Sequence, residues 1–314
     1  MRFRLVSSLL VPLLLAHTAI AQSERSGDAA EAPNGETIIV TGSRVTDEAV
    51  SDFVEALTVE TSGDQLAAFH APICPMSMGL PEAFNRVIEQ RIRTVAEQAG
   101  IDVAGEDCSP NITVFIADNG ADLISRLRSE YPSLFAGRDA SANRGLVLQA
   151  GPVRAWQVLD VRGSDGRPVQ RINFLDARGL PRGSVFFLPR GKFVDGGVSS
   201  TLTRSTRQDL AFSYVVIDVA AIDGLSLVQV ADHAAMRALA QTDPEDANAT
   251  GQPTILTLFA DRPLGQAAPT AITEWDKAFL KSLYETRRTV SAGLQRSNMA
   301  RIVREELEAD KPNP

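Results

Sequence analysis

Two cysteines constrain the fold of this chain more than any other feature. Cys74 and Cys108 are the only cysteines among 314 residues, and they flank the clearest helical pattern. From Glu82 to Ala99 apolar residues recur at helical spacing, with a proline opening the segment and a glycine following it. Residues 111–117, NITVFIA, are typical of a buried strand. A disulfide would tie the start of a strand, helix, strand unit, so the sequence predicts an α+β fold, a mixed sheet with packed helices.

The first 21 residues predict the compartment in which that disulfide would form. Two arginines precede an apolar run that ends in Ala19-Ile20-Ala21, a small-x-small cleavage site. We expect a signal peptide cleaved after Ala21 and export to the periplasm or the medium, where disulfides persist. Closing a loop of about 35 residues would stabilise the fold by about 3 to 4 kcal/mol. The alternative is a thiol nucleophile acting with His70, which fits an oxidising compartment poorly.

Composition predicts the domain organisation and excludes one class of partner. Residues 22–35 lack bulky apolar side chains and are expected to be a flexible leader, residues 36–308 a single α+β domain, and residues 309–314 a disordered tail. Loss of the two arginines of the signal peptide changes the formal charge from −8 to −10. So acidic a chain is not expected to bind nucleic acid. No later segment has the roughly 20 apolar residues of a transmembrane helix.

Local patterns predict most of the remaining elements. Thr46, followed by two acids, is expected to cap a short helix, and Gly163 to Gly166 to form the turn of a hairpin within residues 151–193. The other predicted elements are a helix through Leu127, a strand over 210–218, a polar loop after Pro244, and helices over Thr273–Arg287 and about 291–308.

A predicted helix over about residues 225–241 contains the candidate functional residues. Its apolar residues form one stripe that should face the core: Leu227, Val230, Ala231, Ala234, Ala235 and Ala238. Gln229, His233 and Arg237 are each four residues apart and form a second stripe. The pattern therefore predicts an amphipathic helix with one polar histidine.

The segment HAAMRALAQTD resembles the zincin metallopeptidase helix HExxHxxGxxH. In that register His233 takes the position of the first metal ligand, Ala234 that of the catalytic glutamate, and Arg237 that of the second ligand. Ala240 stands at the glycine and Asp243 at the third ligand. The resemblance implies a degenerate metal site on an otherwise zincin-like helix.

The resemblance extends over about residues 210–295. PTILTLF and TEWDKAFLKSLYETRRTVSAGL are similar to the closing part of a family of uncharacterised secreted bacterial proteins with a zincin-like fold. That family implies a strand, an active-site helix, a helix containing Leu-Tyr and a Gly-Met element. This chain has Leu283-Tyr284 and Gly293 but Leu294 in place of the methionine.

The departures from the motif decide the functional prediction. Alanine cannot accept a proton from water, and a protonated guanidinium has no lone pair for zinc. We therefore predict no catalytic zinc and no cofactor, and a non-catalytic binding or structural role in the cell envelope. The alternative is a hydrolase in which His233, Asp243 and acids near the 199–209 loop converge on one pocket.

Residues 36–44, ETIIVTGSR, suggest one partner. They resemble the segment that opens the plug of TonB-dependent outer-membrane receptors, although the chain lacks the alternating strands of their barrel. The segment is expected to be a strand of the domain's own sheet. The alternative is a docking strand for another envelope protein.

Overall fold

The computed structural model of the protein describes residues 45–169, 203–261 and 267–309. Several predictions lie outside these ranges: the signal peptide, the leader, the 36–44 segment, residues 310–314 and the hairpin strands expected after residue 169. Within the described ranges, no helix is both long and apolar enough to cross a bilayer.

One mixed sheet of five strands organises the described chain. The strands are β1 Ala68–Phe69, β2 Pro75–Met78, β3 Ile112–Ala117, β4 Val153–Gly163 and β5 Thr206–Asp218. β4 runs antiparallel to β5 along almost its whole length, so it occupies one edge of β5. β1 and β3 share the other edge, both parallel to β5, and β2 pairs with β3 in parallel. The predicted α+β class is confirmed.

Eight helices surround the sheet in the described ranges. They are α1 Asp47–Leu57, α2 Glu82–Gln98, α3 Gly120–Glu130, α4 Ala140–Leu148, α5 Leu227–Leu239, α6 Pro244–Ala249, α7 Glu274–Glu285 and α8 Ala292–Ala309. Thr46 caps α1 as the sequence predicts, and Thr273, where the predicted helix begins, caps α7; each accepts a backbone N–H three residues on. The polar loop predicted after Pro244 contains α6, which that prediction missed.

The predicted strand, helix, strand unit is present, with α2 crossing from β2 to the parallel strand β3. Cys74 and Cys108 form a disulfide with Cα atoms 6.0 Å apart. The alternative of a free thiol acting with His70 is therefore wrong. The predicted apolar stripe of α2 is only partly buried, because Phe84 and Val87 in its first two turns are exposed.

Apolar side chains form two clusters, and a bulge in β5 adjusts which residues reach them. The larger cluster joins α1, α2, α5, α7 and α8 to the sheet, and the smaller one holds Trp156 and Tyr214 under α3 and α4. Leu159 pairs with Leu210 and Val158 with Phe212, so Ala211 has no partner in β4. One extra residue reverses the alternation of side chains along β5, which keeps Leu210 in the larger cluster.

Candidate functional site

The helix α5 begins where local sequence chemistry dictates. Gly224 adopts a φ of +75°, and Ser226 then caps the helix in a reciprocal capping box with Gln229. The Ser226 hydroxyl accepts from the Gln229 backbone N–H at 3.2 Å, and the Gln229 side chain accepts from the Ser226 N–H at 3.0 Å. Free N–H groups of the first turn are satisfied in this way.

Burial of α5 is the main difference from the sequence prediction. Every residue from Val230 to Leu239 is buried, including the polar Asp232, His233 and Arg237. α5 packs against α2, α7, the 3₁₀ turn over 255–259, β4 and β5, so none of its faces after the first turn meets solvent. The predicted apolar stripe is buried from Val230 onward, but His233 and Arg237 of the polar stripe are buried as well, and only Gln229 is half-buried.

Partners from distant elements satisfy Asp232. Its carboxylate accepts two hydrogen bonds from the Arg91 guanidinium, at 2.6 and 3.0 Å, and one from the Ile272 backbone N–H at 2.7 Å. A buried carboxylate is tolerated when it is paired and hydrogen-bonded in this way. Asp232 thus fixes α5 against α2 and the segment before α7.

Side chains from two other elements close the last turn of α5. Gln157 of β4 donates to the Arg237 carbonyl at 2.9 Å, and the Tyr284 hydroxyl of α7 donates to the Leu239 carbonyl at 2.7 Å. The final carbonyls of a helix have no partner within the helix, so these bonds replace solvent. Burial raises the pKa of Tyr284, which keeps its hydroxyl protonated as a donor. The Leu-Tyr element noted in the sequence therefore anchors α5.

His233 is buried and neutral. Only 2% of it is exposed, and its ring meets the Phe259 ring edge-on at a centroid distance of 4.9 Å. Burial lowers the pKa of His233 to about 3 because the imidazolium loses its hydration; the Arg237 charge lowers it further, and a hydrogen bond to the Leu256 backbone partly opposes both. Its Nδ1 has no hydrogen-bond partner in the described ranges.

Arg237, one helical turn later, is buried and charged. Its Nη1 donates to the carbonyl of Thr242, and to the Thr242 hydroxyl at 3.3 Å. Burial lowers the pKa of Arg237 to about 10, opposed by the charge of Asp243, so the guanidinium stays protonated at neutral pH. Its Nε has no hydrogen-bond partner within the described part of the chain.

His233 and Arg237 line one cavity of about 330 Å³, the α5 cavity. Its other described walls come from the 149–152 loop and the start of β4, the 3₁₀ turn over 255–259 with Ala260, and α6. Most of these side chains are apolar: Ala150, Pro152, Val153, Pro244, Leu256, Phe259 and Ala260. Glu245 and Asn248 also line the cavity and are exposed, so they mark its mouth. Val153 pairs with Ile217, which places the cavity at the carboxyl end of β5, where α/β sheets commonly bind ligands.

The other acids named in the sequence prediction do not line this cavity. Asp243 accepts from the Glu245 backbone N–H at 2.9 Å and caps α6, so its charge lies near Arg237 without facing the cavity. Asp209, the acid of the expected 199–209 loop, lies in the strand β5 instead and pairs with Arg207 and Arg288. The structure thus brings together two of the predicted candidates, His233 and Arg237.

The zincin register can also be compared with the geometry. Ala234 is fully buried in the larger apolar cluster, next to His233 in sequence but on the core side of α5. Among the described residues, no three His, Cys, Asp or Glu side chains are grouped as metal ligands would be.

A second, larger cavity of about 710 Å³ lies between residues 251–257 and the start of α7. Its one ionisable residue among those described, Glu274, is exposed. The smaller cavity is lined by two buried groups with shifted pKa values, His233 and Arg237, which makes it the stronger candidate.

Leu256, Phe259 and Thr242 are parts of the site that the sequence does not indicate. Their roles depend on the 3₁₀ turn and on the loop after α5 folding back, which no local pattern predicts.

No protein-family model matches the chain, and no curated protein or solved structure matches it significantly.

Proposed function

We propose that the protein is an exported, non-catalytic binding component of the cell envelope, and that its ligand occupies the α5 cavity. The observation that carries the proposal is the pair of buried polar atoms, His233 Nδ1 and Arg237 Nε, that lack partners in the described chain and belong to residues lining one cavity. Buried polar atoms in proteins are nearly always paired, because an unpaired one costs about 1 to 3 kcal/mol. A ligand that bonds to both atoms would remove that cost.

The chemistry of the cavity favours binding over hydrolysis. A histidine with a pKa of about 3 is a weak general base at neutral pH. No serine, threonine, cysteine or lysine is among the described residues that line the cavity. Arg237 puts a positive charge beside His233, which opposes the binding of a dication. The hydrolase alternative would therefore depend on Glu245, the one carboxylate among the described lining residues, or on a nucleophile and a base from elsewhere.

The location in the proposal rests on two features. The first is the signal-peptide pattern of residues 1–21. The second is the Cys74–Cys108 disulfide, a bond typical of oxidising compartments.

The proposal can be tested with a series of small molecules that share a 4-methylpentyl skeleton and end in an alcohol, an amide, an amine or an acid. Saturation-transfer NMR on the purified mature protein would detect binding. Ala260→Phe should block the cavity, since Ala260 is a half-buried wall residue. Ala142→Phe is the matched control, because Ala142 is exposed on α4 and outside the cavity.

We expect at least one member to bind the wild type and Ala142→Phe, and to be lost in Ala260→Phe. Binding unaffected by Ala260→Phe would reject the proposal, and so would absence of binding by the whole series together with the 2-hydroxy and 2-amino derivatives of its acid. Turnover of peptide or ester substrates that disappears in His233→Gln would favour the hydrolase instead. Stoichiometric zinc lost in His233→Ala would contradict the predicted absence of a metal.

A further inference from the structure

The two unpaired groups of the α5 cavity restrict what a ligand can be, and this inference rests on the proposed binding function. His233 and Arg237 are four residues apart on α5, and side chains at that spacing are neighbours, with Cβ atoms about 5 to 6 Å apart. One small ligand head group can therefore reach both side chains. It must also do so inside a cavity of about 330 Å³.

Arg237 requires an acceptor and favours a negative one. Every hydrogen bond that it makes to the described chain leaves from Nη1, so a carboxylate that reaches Arg237 would bond to the Nε edge, whose Nε is enclosed and has no partner there. A carboxylate fits such an edge with two parallel hydrogen bonds. The nearby Asp243 carboxylate is engaged at the start of α6 and does not line the cavity.

His233 requires a donor. A neutral imidazole has one N–H and one lone pair. The hydrogen bond to the Leu256 backbone raises the pKa of His233, as a ring N–H donating to a carbonyl does. The unpaired Nδ1 is then the lone pair, and its partner must be a hydroxyl or an N–H.

The remaining walls set the body of the ligand and its total charge. Val153, Leu256 and Phe259 offer an apolar surface that suits a short aliphatic or aromatic chain. Glu245 at the mouth would repel a second negative charge. These features select a monoanion or a zwitterion over a dicarboxylate.

We propose that the cavity binds a small apolar monocarboxylate that carries a hydroxyl or N–H donor next to its carboxylate, as in a 2-hydroxy acid or a 2-amino acid. Arg237 holds the carboxylate, His233 Nδ1 accepts from the adjacent donor, and the apolar chain lies against Val153 and Phe259.

Four probes with one carbon skeleton test this specificity by calorimetry: 2-hydroxy-4-methylpentanoate, leucine, 4-methylpentanoate and 4-methylpentanamide. We expect the plain acid to bind about tenfold or more tightly than the amide, since hydrogen bonds to charged groups contribute most. At least one of the two donor-bearing acids should bind about three- to tenfold more tightly than the plain acid. Which of the two is tighter identifies the donor as hydroxyl or ammonium.

Two variants assign the preferences to their residues. Arg237→Gln should abolish the difference between acid and amide, and His233→Phe should abolish the advantage of the donor-bearing acids while leaving plain acid binding. Circular dichroism melts establish that each variant is folded. If a variant does not fold, the order of the four probes on the wild type decides the proposal.

The outcomes separate this inference from the binding function. An amide that binds as well as the acid, or a donor that brings no advantage, overturns the inference while a binding cavity remains. Failure of all four probes together with the alcohol and amine of the earlier series overturns both.

Discussion

Stability below pH 6.5 should depend on His233. In the unfolded chain an imidazole takes up a proton near pH 6.5, whereas burial lowers the pKa of His233 in the folded protein to about 3. Between these two values the unfolded state binds the extra proton, so acid favours unfolding. The contribution of His233 is complete above pH 6.5 and is lost progressively as the pH falls towards 3.

The size of the effect follows from the separation of the two pKa values. pH 5 lies 1.5 units below the pKa of about 6.5 of the unfolded imidazole. At that pH the unfolded imidazole is protonated and the folded one is not. At about 1.36 kcal/mol per unit, lowering the pH from 7 to 5 should cost about 2 kcal/mol through this residue alone. Carboxylates also titrate over this range, so the difference between wild type and variant isolates the histidine.

Urea unfolding at pH 7 and pH 5 would measure the effect. In His233→Gln and His233→Leu the free energy of unfolding should fall by about 2 kcal/mol less between the two pH values than in the wild type, whatever its absolute value. His70→Gln is the matched control, because His70 is exposed in the folded chain as in the unfolded one. Equal acid sensitivity of wild type and His233 variants, or an NMR titration of the His233 ring with a midpoint near 6.5, would refute the reasoning.

Three further perturbations test the framework around the cavity. Gly79→Ala should lower the free energy of unfolding in urea by at least about 1 to 3 kcal/mol, because Gly79 has a φ of +109° and a Cβ there would lie 1.9 Å from a β3 carbonyl oxygen. Gly105→Ala is the control and should change that free energy little, since a Cβ at Gly105 has open space around it. Arg91→Ala leaves the buried Asp232 carboxylate without its cation and should cost about 3 to 5 kcal/mol by the same assay, whereas an additional Asp232→Leu should recover part of it. Reducing the disulfide should lower the free energy of unfolding by about 3 to 4 kcal/mol, and an unchanged urea midpoint under reductant would contradict its structural role.

Elements with local signals were predictable from the sequence. The starts of α1 and α7 follow from Thr46 and Thr273, whose hydroxyls cap the first turn without help from the rest of the fold. The strand over 210–218 and the helix after Pro81 follow from apolar runs and periodicity. In each case the deciding interactions lie within a few residues along the chain.

The environment of α5 was not predictable in this way. The spacing of Gln229, His233 and Arg237 predicts a polar stripe but does not indicate that it is enclosed, nor that the neighbouring Asp232 pairs with Arg91, 141 residues away in sequence. One signal was present: over residues 230–240 only three side chains are ionisable and most of the others are small or apolar, which is typical of a helix buried on all sides. A pattern that counts polar positions cannot tell a buried, paired charge from a solvated one.

The cavity itself combines parts that no local pattern connects. Its walls come from residues 149–153, from α5 and α6, and from the turn over 255–259, and the unpaired state of His233 Nδ1 depends on all of them. A core position enclosed in this way would be more stable with apolar side chains, because a buried imidazole and guanidinium both lose hydration. Retaining both on one turn of the most buried helix costs stability that a ligand could restore. Arg237, which stands at the position of the second zinc ligand in the motif, also supplies the positive charge that the proposed carboxylate would bind, so the predicted absence of metal chemistry and the proposed anion site depend on the same residue.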